Sequence, residues 1–389
     1  MAYQVTTKTS YGQRLSGSLK GTVTGLAMFI LGTIVLFWIE GQFVKTRKSL
    51  HEAESIVVRV DDVSKVDPSL NGQLIHATAF ADTDETLTDR QFGVSEKAIA
   101  ISREVAYYQI EETSSVRTEN RTGGGQERIT TYSYEKKWVK APINSAVFEN
   151  PAYRKSNFTL TTVENKTERA KNVSFGGYAL PPFIISTISG SAPATVNLNA
   201  DEIAQWEKTF PPDNTAAQRV HVKDNRVYFG KSATTPEIGD VRITLTKTVP
   251  ADISIIAGVA GSTFEPYISS SGKAVSEVAM GTVSAEKMFA GAHSSNMIIT
   301  WFFRIIGIFL VIGGLKAMFN ILPTLFQVLP FLGNIVDAGV GLVCWVFGGA
   351  WSLIIMSVAW LFYRPMVGIP LLLAAFAGIW FLKKKSEKK

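Results

Sequence analysis

The strongest constraint on this chain is the apolar character of its carboxyl-terminal part. Twenty-six residues without charge separate Asp337 from Arg364, and eighteen more separate Arg364 from Lys383. An uncharged run of about 18 apolar residues is long enough to cross a bilayer core of about 30 Å as a helix. The pattern predicts transmembrane helices at residues 337–363 and 365–382.

Two further apolar runs predict helices elsewhere in the chain. Residues 297–319 form one of them, interrupted only by Arg304 and Lys316, and residues 21–39 form the other, with no charge before Glu40. A signal peptide would end in a small-residue cleavage pattern, which is not found after the amino-terminal run. That run therefore predicts an uncleaved membrane anchor.

Glycines mark one face of the first predicted helix. Gly17, Gly21 and Gly25 recur every fourth residue, and this spacing lets a second helix approach closely in a membrane. The alternative is that they carry no special contact, because glycine is common in membrane helices.

The residues between the first two predicted helices, 40–296, have the pattern of a large β-rich domain. Its clearest element is a hairpin formed by residues 104–118 and 127–141, which are rich in aromatic and β-branched side chains and flank three consecutive glycines. Residues 198–210 predict a short helix in which Asn199 or Asp201 is the cap.

Both ends of the chain are predicted to lie on the same side of the membrane. Residues 320–336 contain Pro323, Pro330 and Gly333, which predict an interfacial or re-entrant segment rather than a fifth span. The five lysines of residues 383–389 directly follow the fourth span. By the positive-inside tendency this basic tail is cytoplasmic.

The expected fold is thus a multi-pass α-helical membrane protein with four transmembrane helices. A large β-rich α+β domain, extracytoplasmic, is inserted between helices 1 and 2. The amino-terminal arm, residues 1–20, is then cytoplasmic, as its Lys8, Arg14 and Lys20 also suggest. The domain is then expected in the periplasm, at the cell exterior or in an organelle lumen.

Composition limits the chemistry that the chain can carry. The net charge of +6 is concentrated in the basic tail and indicates topology rather than a nucleic-acid partner. A single cysteine, Cys344, excludes an intrachain disulfide and a cysteine zinc cluster. The histidines His51, His76, His221 and His293 show no metal-ligand spacing. The sequence therefore predicts no metal site and no cofactor.

Charges beside the apolar runs form the first candidate site. An ionisable side chain at membrane depth is costly unless it is paired or lines a polar cavity. We expect Glu40 to pair with Arg304 or Arg364 at the outer interface. The functional interpretation is a pocket for a lipid head group. The alternative is a structural ion pair with arginines that extend toward the interface.

The second candidate site lies in the soluble domain at the start of a predicted strand. Asp240 and Arg242 are two residues apart, so their side chains share one face of a strand and can form one binding site. The alternative is an ordinary surface ion pair.

Short motifs spread over the whole chain resemble those of the LUMA family, also called transmembrane protein 43. The motifs are, in order, Glu40-Gly41 with Lys45-Thr46, Gly72 with Leu74-Ile75-His76, Tyr108-Gln109, Tyr132-Ser133-Tyr134 with Trp138, Ile143-Asn144-Ser145, Pro236 to Arg242, Ser284-Ala285-Glu286, Thr300-Trp301 with Arg304, and Ala359 to Pro365. The resemblance implies four spans, a lumenal domain after the first and cytoplasmic termini. For a eukaryotic chain the resemblance implies the endoplasmic reticulum and inner nuclear membrane, where animal members are linked to emerin and lamins as membrane organisers. For a bacterial chain the expected location is the inner membrane. The basic tail favours a bacterial member, which would have no lamina.

These observations favour a non-enzymatic membrane scaffold. We expect protein–protein interaction or oligomerisation through the extracytoplasmic domain and the membrane helices. The expected partners are membrane lipid and other membrane proteins or copies of the same chain, with no nucleic acid. The alternative is a membrane-associated enzyme or binding protein that acts on lipid or envelope material at the outer leaflet.

Overall fold

The computed structural model of the protein describes residues 3–210 and 218–365. Its helices, in chain order, are α1 (Tyr11–Ile56), α2 (Pro182–Ile185), α3 (Ala200–Glu207), α4 (Ala285–Phe319), α5 (Ile321–Phe326) and α6 (Pro330–Tyr363). Its strands are β1 (Tyr3–Thr9), β2 (Val58–Val60), β3 (Leu74–Asp82), β4 (Thr86–Asp89), β5 (Val94–Lys97), β6 (Ala100–Asn120), β7 (Gln126–Val139), β8 (Lys166–Arg169), β9 (Ser174–Phe175), β10 (Tyr178–Ala179), β11 (Ala192–Pro193), β12 (Val220–Lys223), β13 (Arg226–Phe229), β14 (Val241–Thr248), β15 (Ala251–Ala260), β16 (Thr263–Glu265), β17 (Tyr267–Ile268), β18 (Ala274–Val275) and β19 (Glu277–Met280).

Three helical stretches are long and apolar enough to cross a membrane within the described residues. They are Tyr11–Ile56, Ala285–Phe326 and Pro330–Tyr363. The sequence predicted all three. Its fourth predicted span, residues 365–382, lies outside the described residues except for Pro365.

The helices extend beyond the predicted apolar limits. Helix α1 begins ten residues before the predicted span because the Ser10 side chain accepts from the backbone N–H of Gln13, whose side chain caps Ser10 in return. Ser284 is the N-cap of α4, and its side chain accepts from the backbone N–H of Lys287. Hydropathy does not register such polar helical ends, so the helices are longer than the apolar runs from which they were predicted.

The segment predicted as an interfacial or re-entrant turn, residues 320–336, is instead helical for most of its length. Helix α5 occupies its first part and α6 begins at Pro330. Proline suits the first position of a helix because its missing N–H would have no partner there. Pro330 therefore starts a helix where the sequence interpretation took it to interrupt one.

Glycines bring α1 and α4 into close antiparallel contact. A Cβ atom placed on Gly25 would lie 2.6 Å from the carbonyl oxygen of Gly314, and one on Gly32 would lie 2.9 Å from that of Gly307. The predicted close approach thus holds at Gly25, whereas Gly17 has nothing within 4 Å. The contact continues toward the carboxyl end of the first predicted span.

Large apolar side chains lie on the outside of this helical module, which consists of α1, α4, α5 and α6. Exposed positions include Leu19, Val23, Leu26, Ile30, Ile34, Trp38, Ile298, Phe302, Ile305, Phe309, Leu342, Val346, Phe347, Leu353 and Phe362. An apolar belt of this extent on a helical bundle marks a surface that contacts lipid.

Apart from β1, the strands of the β-rich domain lie between α1 and α4 in the chain. One sheet has the order β1-β7-β6-β14-β13-β12, with β11 on β14 and β8 on β6. The other has the order β10-β9-β3-β15-β16, with β19 on β15 and β2 on β3. The strand pairs β17–β18 and β4–β5 form two separate two-stranded sheets. The predicted β-rich character and the predicted short helix are confirmed. Of its two candidate caps, Asn199 is the N-cap and Asp201 lies in the first turn.

Three clusters of buried apolar side chains hold the domain together. One lies under the second sheet and includes Phe175 and Ile255, and another lies under the first sheet and includes Phe229 and Ile243. The third joins the domain to the helices, because Leu50 and Ala53 of α1 and Met288 and Phe289 of α4 pack against Leu74 and Ile256. The domain therefore sits on the carboxyl-terminal end of α1.

The predicted hairpin is β6–β7, and it carries a third strand that the sequence analysis did not anticipate. Residues Tyr107–Asn120 of β6 pair with Gln126–Val139 of β7. Strand β1, in the amino-terminal arm, pairs with β7 from Tyr3 opposite Tyr132 to Thr9 opposite Gln126. The arm is thus part of the same sheet as the domain.

The tip of this hairpin reaches the end of the helices that is remote from the domain. Arg14 donates from Nη1 to the carbonyl oxygen of Gly124 at 2.9 Å, and the Gly123 N–H donates to the carbonyl oxygen of Val328 at 3.0 Å. Asn120 Nδ2 donates to Asn334 Oδ1 at 3.1 Å. The sheet β1–β7–β6 therefore runs beside the helical module from the domain to the opposite end.

Candidate functional site

Three helices converge on one carboxylate where the apolar belt meets the domain. Glu40 of α1 is completely buried. It accepts from Arg304 of α4 twice, at 2.6 Å from Nε and 2.9 Å from Nη2, and from Trp360 Nε1 of α6 at 2.9 Å. The fork of two parallel bonds is the strongest geometry that an arginine and a carboxylate adopt. Glu40 therefore links all three long helices.

Aromatic rings enclose the arginines of this cluster. The Arg304 guanidinium lies 4.9 Å from the centre of the Trp301 ring and 6.0 Å from that of Phe43. Arg364, at the end of α6, lies 5.0 Å from the Phe43 ring and 5.5 Å from the Trp360 ring. Cations placed over ring faces gain a favourable interaction that strengthens as water is removed. Phe43 thus lies between the two arginines.

Arg364 brings a second positive charge to a cluster that has one carboxylate. Its Nη2 atom is buried and has no hydrogen-bond partner among the described residues. Buried polar groups are normally paired. Within the described part of the chain the cluster therefore has two guanidinium groups, one carboxylate and one buried donor without a partner.

The structure brings together the residues that the sequence proposed for this site. Glu40 pairs with Arg304, while Arg364 shares the Phe43 ring and does not bond to the carboxylate. Sequence reasoning missed the roles of Trp360 and Phe43. Trp360 precedes Arg364 by one helical turn, and that spacing was the available signal.

The second proposed pair, Asp240 and Arg242, is not joined by an ion pair in the described part of the chain. Asp240 is buried and accepts from the Tyr228 hydroxyl and, at 2.7 Å, from the backbone N–H of Glu237. Burial raises the pKa of Asp240, and these two hydrogen bonds partly offset that effect. Burial and the adjacent carboxylate raise the pKa of Tyr228 as well. Asp240 therefore fixes the turn that precedes β14.

Arg242 points to an aromatic partner instead of to the acid. Its guanidinium lies 4.4 Å from the centre of the Trp138 ring. The structure shows no ion pair between Asp240 and Arg242, both of which lie in its described part. The two side chains thus make different contacts, Asp240 with Tyr228 and the Glu237 backbone and Arg242 with Trp138.

Comparison with known proteins places this arrangement in a family. A sequence model of the family Transmembrane protein 43 matches residues 107–365. Transmembrane protein 43 of Mus musculus is 32% identical over 363 residues, which cover 91% of this chain and 87% of the mouse protein. The chain belongs to the transmembrane protein 43 family. The resemblance stated from the sequence is therefore confirmed.

Members of the transmembrane protein 43 family from distant animals share the match. The Homo sapiens protein is 30% identical over 363 residues, with 91% of this chain and 87% of that protein covered. The homolog of Drosophila melanogaster is 24% identical over 376 residues, with 92% and 93% covered. No solved structure matches the chain.

The family match includes most of the residues considered above. Asp240, Arg242, Arg304 and Arg364 lie inside it, and Glu40 lies before it. Membership establishes a membrane protein with apolar helices and a large β-rich domain. It does not by itself assign a ligand to the cluster around Glu40.

Proposed function

We propose that this member of the family is a membrane scaffold that assembles from several copies of itself. Its helices lie in the bilayer, residues 365–382 form a fourth span, and the termini face the cytoplasm while most of the β-rich domain faces the other side. The basic tail supports this orientation. The apolar belt on α1, α4 and α6 supports the placement of these helices in the hydrocarbon core of the bilayer.

The observation that carries the proposal is the open sheet β1–β7–β6 beside the helical module. Beyond Ile110, no strand in the described part of the chain pairs with β6 on the edge away from β7. Strand β1 likewise pairs only with β7 among the described strands. Residues Thr113–Thr118 are exposed. Both edges of the sheet therefore offer free backbone donors and acceptors.

The sheet and the helices span the same distance. From Tyr108, which bonds to Asp240, to Asn120 at the tip, β6 covers about 40 Å at about 3.3 Å per residue. From Arg14, which bonds to the tip, to Glu40, α1 covers about 39 Å at 1.5 Å per residue. Both exceed the hydrocarbon thickness of about 30 Å. A bilayer that holds the helices thus also surrounds the sheet.

Lipid does not tolerate such a sheet in a single copy. Each unpaired backbone group in hydrocarbon costs several kcal/mol, and open sheet edges occur at membrane depth only where protein or a water-filled cavity covers them. The strands also carry charges, Arg117 and Arg128 among them. In-plane helices would avoid the problem, but an interfacial helix needs a polar face, and residues 21–39 have none.

A second copy of the chain satisfies both edges. The free edge of β6 in one copy can pair with the free edge of β1 in the next, so that each copy contributes three strands. Such head-to-tail contacts close into a ring when the rotation allows. The apolar belts of the helices then face lipid on the outside, and the polar strands lie inside the assembly.

Crosslinking between two single-cysteine proteins tests the proposed contact. Val5 and Val116 both stand opposite Thr130, on the two outer strands. We expect Val5→Cys and Val116→Cys, each in a Cys344→Ser background and reconstituted together in bilayers, to form a heterodimer with a short crosslinker. The matched control is Val116→Cys mixed with Val147→Cys, which is exposed in the domain. Equal yields in both mixtures would refute the contact.

Labelling from one side separates this arrangement from a hairpin that stays outside the membrane. We expect Arg117→Cys to be protected from an impermeant reagent, whereas Lys223→Cys in the domain reacts from the outer side. The proposal is wrong if Arg117→Cys reacts from the outer side as fast as Lys223→Cys while Thr7→Cys reacts only from the inner side.

A second candidate function is the binding of an anionic lipid head group beside Arg364. The surplus cation and the unpartnered Nη2 atom favour it. Phosphate oxygens accept hydrogen bonds from guanidinium groups in well-defined pairs. We expect Arg364→Ala to lose anionic lipid that co-purifies with the wild type in native mass spectrometry. Lys316→Ala, at the other end of the helices, is the control. Unchanged lipid in Arg364→Ala and in Arg304→Ala would exclude this function.

A further inference from the structure

Two histidines that are far apart in the sequence meet where α1 and α4 leave the apolar belt. The rings of His51 on α1 and His293 on α4 have centres 4.8 Å apart. Glu54, one helical turn after His51, places Oε2 at 3.6 Å from His51 Nδ1 and 3.8 Å from His293 Nε2. One ligand atom from each of the three residues lies within 4.8 Å of the others.

We propose that His51, Glu54 and His293 form a site for a divalent transition metal, with zinc as the ion to be tested. Two imidazoles and one carboxylate are the three protein ligands of an open zinc site, in which water or another ligand takes the fourth position. Imidazole ligands favour this class of metal over magnesium and calcium. Nothing in the family match assigns such a site.

The distances are compatible with metal binding after a small movement. The three ligand atoms lie within 4.8 Å of one another. Zinc bonds of about 2.0–2.2 Å place tetrahedral ligand atoms roughly 3.4 Å apart, so the longest separation must shorten by up to about 1.4 Å. Side-chain rotation is sufficient for that change, because His51 and Glu54 are exposed. The backbone beneath them is fixed, since Leu50, Ala53 and Phe289 are buried in the core that joins α1 to α4.

An unpartnered ring nitrogen makes His293 suitable as a metal ligand. Its Nε2 atom is buried and has no hydrogen-bond partner among the described residues. A neutral imidazole has the free electron pair that a metal requires. The free nitrogen is directed toward Glu54 and His51.

One neighbour opposes the proposed ion. Arg47 donates from Nε to His51 Nε2 at 3.4 Å. When His51 Nδ1 binds a metal, Nε2 carries the proton, so this hydrogen bond must break. Arg47 is exposed and can turn away. The neighbouring Glu52 does not compete, because it accepts from Tyr267 and the Ser270 backbone.

The opposing arginine makes the test sharper than ligand removal alone. We expect Arg47→Ala to bind zinc more tightly than the wild type, because a positive charge and a competing donor are removed. We expect His51→Ala and His293→Ala each to weaken binding by at least about tenfold, and Glu54→Gln to weaken it as well. His221→Ala, in strand β12, is the matched control and should bind as the wild type does.

The measurement uses the full chain in nanodiscs, purified with a tag that contains no histidine. Cobalt provides the visible spectrum of a four-coordinate site, zinc competes for it, and unfolding midpoints with zinc and with a chelator report stabilisation. Midpoints in chelator alone show whether each variant is folded. The proposal is overturned if His293→Ala and His51→Ala give the wild-type spectrum and affinity, or if the wild type binds no cobalt.

Discussion

The β-rich domain buries its large apolar side chains, whereas the helical module carries them on its outer surface. In the domain, Phe229 and Ile243 are buried and the surface is polar. In the module, small residues such as Gly32 and Gly307 lie between the helices, and large residues such as Val346 point outward. Water drives the first arrangement by expelling apolar surface. Lipid provides no such force, so the second depends on close backbone packing and on polar links.

For this reason we expect one ion pair to contribute strongly to the stability of the module. The domain has three apolar clusters, whereas the long helices are joined at one end by Glu40, Arg304 and Trp360. A charge that is buried in low dielectric is tolerated only with its partners in place. The cluster around Glu40 is therefore the point at which the module should be easiest to break.

The largest expected effect is the loss of one partner of that pair. Arg304→Ala leaves Glu40 charged and buried, and we expect a cost of about 3–5 kcal/mol in the free energy of unfolding. Unfolding in mixed micelles measures it. The double variant Glu40→Gln/Arg304→Met, which keeps an acceptor for Trp360, should recover most of the loss. Lys316→Ala breaks the half-exposed pair with Asp337 at 3.7 Å and should cost at most about 1 kcal/mol.

The next effect compares one substitution on the two surfaces. Val346, 61% exposed, lies at the centre of α6, and Val147, 74% exposed, lies in the domain. We expect Val346→Lys to oppose membrane insertion by about 2.5–3.5 kcal/mol. Val147→Lys should change stability by less than about 0.5 kcal/mol. Insertion assays and unfolding of the two variants test this, and equal effects would contradict a lipid-facing α6.

A smaller effect concerns the close contact of α1 and α4. A Cβ on Gly32 would lie 2.9 Å from Gly307 O, Leu310 Cβ and Val311 Cγ2, so Gly32→Ala should cost about 1–3 kcal/mol through overpacking. Gly17 has free space, and Gly17→Ala should be neutral or stabilising because alanine favours the helix. Thermal unfolding of both variants decides the matter. A similar loss in both would show that helix contact is not the reason.

The sequence predicted those elements whose signal is local. Apolar runs identified three helices, and the alternation around three glycines identified the β6–β7 hairpin. Asn199 and the pattern after it identified α3. Each of these depends on neighbours along the chain, because helix and strand periods are expressed within a few residues.

Contacts between remote segments were not predictable in the same way. The segment that forms β1 has β-branched residues, but its sequence does not indicate that it pairs with β7. His51 and His293 come together only because α1 and α4 are antiparallel. The ion pair of Glu40 was anticipated because a charge at membrane depth requires a partner. That distant contact was predictable from the energetic cost of an unpaired charge in the membrane, and not from a sequence pattern.

The smallest expected effect is a pH dependence at the junction of the two regions. Glu277 of β19 lines a groove together with Thr46 of α1 and Asn296 of α4. Burial raises the pKa of the Glu277 carboxyl above its usual range. The folded state therefore binds this proton more tightly than the unfolded state does.

The sign of the effect follows from that difference. The contribution of Glu277 to stability is complete below its unfolded pKa of about 4.3 and is lost as the pH rises through the folded pKa. Glu277→Gln keeps a neutral side chain throughout, so we expect it to become more stable than the wild type on the alkaline side of that range. Unfolding midpoints across the range measure the difference. Glu265→Gln, exposed on β16, is the control. A constant difference between wild type and Glu277→Gln would show that the carboxylate is solvated, and that the junction excludes less water than its packing indicates.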